Sequence, residues 1–84
     1  MAKKKVDGEK VFQDMLALLG NTKSVLFIGG CRLLLESEVW LIQQSQDRQK
    51  ALEGQLKKRF KTATDDEQPI AIMAMDRLAK VLRC

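Results

Sequence analysis

The segment from Thr22 to Ile42 limits the possible folds of this chain more than any other. Wound as a helix, it is apolar over most of its circumference. Ile28, Cys31, Leu34, Leu35, Val39, Trp40, Leu41 and Ile42 leave one narrow wet face, where Arg32, Glu36 and Gln43 recur at helical spacing. A helix apolar over so wide an arc has to be covered on more than one side. With 84 residues in all, the two flanking helices look too small for that work. The expected supplement is a second copy. Ile28, Leu34, Leu35, Val39, Trp40 and Ile42 are the residues expected at the interface of a homodimer or higher oligomer. Other staples are poor: two cysteines, Cys31 and Cys84, no histidine, and no metal-type spacing.

The same segment is not read as a membrane span. Arg32, Glu36 and Glu38 lie inside it, together with Gly29 and Gly30, and charges in mid-span are too costly. The start, Met1-Ala-Lys-Lys-Lys, is charged but has no apolar run directly behind it, so no secretory leader is expected. These features give the expectation of a cytoplasmic protein with reduced thiols and no membrane partner.

Within the segment, Ser24–Ile28 allows two readings. One is a helix capped by Thr22 or Ser24 and broken or kinked at Gly29-Gly30, where the missing side chains also admit a close backbone approach. The other is a short strand, which would have to pair with another subunit because the chain offers no second strand. A preceding helix is expected from about Glu9 to Leu19, capped by Asp7. Val11, Phe12, Met15, Leu18 and Leu19 share one stripe, and Gly20 stands where a left-handed C-cap belongs.

Residues 43–50 contain no apolar side chain, yet Gln, Arg and Lys are good helix formers. The apolar stripe then resumes at Leu52, Leu56 and Phe60, and Glu53 and Lys57 form an i,i+4 pair. The pattern favours one long helix over about 31–62; the alternative is a loop near Ser45. Thr64-Asp-Asp-Glu67 resembles a capping box, while Pro69 favours a cap at Asp65 or Asp66, which puts the proline in the first turn. The last helix is expected over about 67–82. Ile70, Ala74, Met75, Leu78, Val81 and Leu82 form its buried face, with Ile72 and Met73 off the stripe.

The expected fold is therefore all-α. It has three to four helices with a long or glycine-kinked central helix, assembled as a helical homo-oligomer. Residues 1–6 read as a disordered basic tail, and 7–84 as a single helical domain.

Side chains suited to catalysis are scarce. The chain has no histidine and no tyrosine, and Ser24, Ser37 and Ser45 stand in no triad-like pattern. Gly29-Gly30 lacks the residues of a phosphate loop. No enzyme, cofactor or metal is expected. The sharpest functional feature is basic: Arg48, Lys50, Lys57, Lys58, Arg59 and Lys61, opposed only by Glu53. Such a cluster suits phosphates or an acidic partner, or simply complements the end of a helix dipole. The expectation is a small helical protein–protein interaction module acting on itself and on a further protein. The alternative is a basic nucleic-acid-binding protein or accessory of a nucleic-acid machine.

Overall fold

A computed structural model describes residues 8–83 of the chain. The segment 1–7 and Cys84, and with them the expected tail and Asp7 cap, lie outside the described residues. The described part is all-helical, with five helices: α1 (Gly8–Leu19), α2 (Ser24–Glu36), α3 (Glu38–Gln43), α4 (Gln46–Phe60) and α5 (Gln68–Arg83). Three to four were expected. The fifth arises because the long central helix does not form.

Two breaks divide that helix, and each has a physical cause. The buried side of α2 carries Phe27, Cys31 and Leu34. One more turn of unbroken helix would bring Glu38 onto that same side. The chain breaks at Ser37 instead, with φ −115° and ψ 42°. Glu38 then faces outward and meets Arg77 at 2.9 Å, while Leu41 sinks into the core. The second break falls at Gln44–Ser45, as in the alternative sequence reading. Ser45 caps α4 by accepting a hydrogen bond from the Arg48 N–H at 3.2 Å. The buried Gln49 amide closes the junction by donating to the carbonyls of Leu41 (2.9 Å) and Gln44 (3.2 Å).

Ser24–Ile28 is helical, and α2 runs through Gly29 and Gly30 without a break. The N-cap is Lys23, not Thr22 or Ser24, and no side chain caps it. Gly20 is not a left-handed cap, since no glycine has positive φ. Its lack of a side chain serves contact: a Cβ there would lie 2.2 Å from Gln55 Nε2, which donates to the Leu16 carbonyl at 3.2 Å. Gly30 lets helices approach, because its Cβ would come within 2.7 Å of the Leu18 Cβ. At the last junction, Glu67 replaces Asp65 and Asp66 as the residue that organises the entry. It accepts from the Thr64 N–H at 3.0 Å, and Pro69 lies in the first turn of α5.

The four longer helices form a ring in which α1 packs on α2, α2 on α5, α5 on α4 and α4 on α1. Phe12, Met15, Leu19, Phe27, Cys31, Leu34, Leu41, Leu52, Leu56, Ala71, Ala74 and Leu78 meet inside it. Burying a leucine or phenylalanine there contributes roughly 1.5–3 kcal/mol. The chain thus covers one side of α2 by itself. Leu34, expected at an oligomer interface, is 0% exposed and belongs to this core.

Candidate functional site

Three polar and apolar constellations stand out once the fold is in place. The first is internal. Arg59 and Glu67 are joined by a 3.0 Å ion pair, with side chains only 7% and 1% exposed. Arg59 Nε also donates to the Asn21 carbonyl at 2.6 Å, and its guanidinium lies 4.3 Å from the centre of the Phe27 ring. Glu67 accepts further hydrogen bonds from the Ser24 hydroxyl and the Thr64 N–H. One ion pair thus ties the α1–α2 turn, the end of α4 and the entry to α5. The Ser24 hydroxyl, the Thr64 N–H and the guanidinium all hold the Glu67 carboxyl below the usual carboxylate range. A carboxylate held so firmly in its ionised form is a weak general base for the serine beside it.

Arg59 is therefore a correction to the expected basic surface: it is a buried anchor, not a contact for phosphate. Arg48 is half-buried and also diverted. It pairs with Glu9, donates to Gln44 Oε1 at 3.3 Å and sits 4.9 Å from the centre of the Phe12 ring. The arginines of α4 turn toward the interior and its lysines turn outward. The flat, weakly hydrated guanidinium suits stacking and several hydrogen bonds, whereas an ammonium is better left in water. Sequence spacing alone did not separate the two. The signal that could have done so was the facing pair of Arg59 with Glu67, and the buried Glu67 was missed.

Lys50, Lys57, Lys58 and Lys61 remain as a second constellation, all exposed. Lys57 approaches Glu53 at 3.7 Å. Lys50, Lys58 and Lys61 have no ion-pair partner among the described residues. Ala51 and Gly54 are exposed between them.

The third constellation is apolar. Val39 and Ile42, one turn apart on α3, are 70% and 57% exposed. Ile42 borders a cleft of about 450 Å³ shared with Gln46, Gln49, Val81 and Leu82. Trp40, Ile28 and Leu35 are half-buried, and Trp40 packs against the core. The outer side of α2 shows Val25, Leu26 and Leu33, and α5 shows Ile72 and Met73. Of the residues expected at an oligomer interface, the structure leaves Val39 and Ile42 fully outward and withdraws Leu34.

Cys31 is a buried free thiol, and burial pushes its pKa up to about 11. Among the described residues, no group of histidine, cysteine, aspartate and glutamate is arranged to hold a metal ion. No helix among them is long and apolar enough to cross a membrane. No protein-family model matches the sequence, no curated protein is significantly similar to it, and no solved structure matches its fold.

Proposed function

We propose that this protein is a small non-enzymatic interaction module that acts as a homo-oligomer, with α3 at the centre of the contact. The observation that carries this reading is the exposure of Val39 and Ile42 beside the apolar cleft at Val81 and Leu82. α3 sends Leu41 inward and presents its other large aliphatic side chains to solvent. An apolar ridge next to an apolar cleft is self-complementary in kind: the ridge of one copy fills the cleft of the other, as a two-fold contact requires. The thin core of so short a chain adds a reason for association, since extra buried apolar area supplies stability that the monomer lacks. A cytoplasmic setting, in which Cys31 stays reduced, fits this reading.

Two differently tagged copies produced together should co-purify. Ile42→Asp should abolish that association, because it places a carboxylate in the contact, while leaving the outward position on the monomer unstrained. Failure of the wild-type copies to associate at micromolar concentration would overturn the proposal.

A further inference from the structure

We infer that the outward face of α4 is a docking surface for the sugar–phosphate backbone of a nucleic-acid duplex, bound without regard to sequence. This inference is independent of self-association, because the face lies on α4 and not on α3.

The geometry follows from the helical repeat. Lys50, Gly54, Lys57 and Lys61 are spaced by four, three and four residues, which places them on one side of α4 and its C-cap, Lys61, within an arc of about 60°. Lys58 flanks them. From Lys50 to Lys61 the stripe is about 16 Å long at ~1.5 Å per residue. A duplex of that length carries about nine phosphate charges, at one per ~1.7 Å of axis. The helix-dipole explanation covers only the last turn, and Lys50 is too early in α4 for it. Gly54 lies in the middle of the stripe, and nothing lies within 4 Å of where its Cβ would be. The backbone of α4 is therefore open to close approach between the lysines.

The chemistry of the face separates a duplex from other polyanions. Between the lysines the exposed residues are only Ala51 and Gly54, and Glu53 is half-buried beside Lys57 at 3.7 Å. A helix that lies in a membrane surface needs large apolar groups to insert, and none is present on this face. Single-stranded nucleic acid is gripped by stacking bases on exposed aromatic rings. Here Phe12 and Phe27 are buried, and Trp40 and Phe60 are half-buried against the core. Lysine is depleted in the cores of protein–protein interfaces, so a lysine-rich face is a poor match for an acidic protein. Ammonium groups on flexible stems, contacting phosphates as point charges, are what the face supplies.

The test is fluorescence anisotropy of a labelled random-sequence duplex with the full chain at 25–200 mM NaCl. Four phosphate contacts predict a slope of about −3.6 in log K against log salt, or roughly a hundredfold loss between 50 and 200 mM. Replacing Lys57, Lys58 and Lys61 together by Gln should flatten the slope by about 2.7. Gly54→Glu is the second variant. It adds a carboxylate at an open position and should weaken binding about tenfold with helical content unchanged by circular dichroism, on the order of one charge repulsion. Three results would overturn the inference: no binding at 25 mM salt, a slope that the triple variant does not change, or tighter binding to phosphatidylserine vesicles or polyglutamate than to the duplex.

Discussion

Arg59 Nη2 and Glu67 Oε2 meet at 3.0 Å inside the protein, although they lie eight positions apart in the chain, across a helix junction. Both side chains are almost fully out of contact with water. Breaking such a pair from one side leaves a buried charge without compensation. Arg59→Met should therefore cost about 3 kcal/mol in urea-induced unfolding. Lys58→Met, one position away on the exposed face, should change stability by no more than about 0.5 kcal/mol. Equal effects from the two variants would contradict the assignment of Arg59 as the anchor.

The same pair sets a dependence on acid. Glu67 has a folded pKa below its ordinary value of 4.5, chiefly because the Ser24 hydroxyl and the Thr64 N–H donate to it. A lowered pKa means that the folded state prefers the ionised form. Its contribution to stability is complete above the unfolded value and is lost as pH falls through the folded one. The urea midpoint of the wild type should drop as the pH falls below 4.5. Glu67→Gln should be less stable at pH 7 and show a shallower decline on acidification. A parallel decline in both proteins would argue that other carboxylates carry the effect.

Gly29 and Gly30 are neighbours in sequence with opposite roles. A Cβ on Gly30 would be 2.7 Å from the Leu18 Cβ and 3.2 Å from its backbone carbon, whereas one on Gly29 would meet nothing within 4 Å. Gly29→Ala should stabilise the protein by about 0.5–1 kcal/mol, the usual gain in helix propensity. Gly30→Ala should destabilise it by about 1–3 kcal/mol, as overpacking forces α1 away from α2. Thermal unfolding of the two variants gives the comparison directly. The same sign for both would contradict the packing of α1 on α2 at this point.

Cys31 is inaccessible, and desolvation raises its pKa from 9.0 to about 11. The neutral thiol is favoured in the folded state, so its contribution to stability is full below pH 9 and declines as pH rises toward 11. At pH 8 a thiol reagent should modify Cys31 only at the rate of unfolding, and quickly in denaturant. Peptide mapping after labelling separates Cys31 from Cys84. Rapid native labelling of Cys31 would show that the core opens more readily than the packing implies.

Helical character was legible in the sequence because apolar spacing reports it locally. The stripes Phe12–Met15–Leu19, Leu52–Leu56 and Ala74–Leu78 all turn inward. The breaks were harder to read. Ser37 looks like an ordinary helical residue, and only the need to keep Glu38 off the buried side of α2 makes it a junction. Gln49 lies in a run without apolar side chains, yet its amide satisfies two carbonyls at the end of α3. Pairings between residues distant in sequence cannot be read from local periodicity. For that reason the sequence groups Arg59 with its lysine neighbours, and Leu34 with the residues expected at an oligomer interface. Val39, Ile42 and the four lysines are exposed.

Self-association through α3 is the central claim, and sedimentation equilibrium tests it most directly. The chain has a mass of 9.5 kDa, so the wild type at micromolar concentration should sediment at twice that mass or more. Val39→Ser with Ile42→Ser should sediment as the monomer with unchanged helical content. A wild type that stays at 9.5 kDa across the concentration range would contradict the account. So would a double variant that associates as strongly as the wild type.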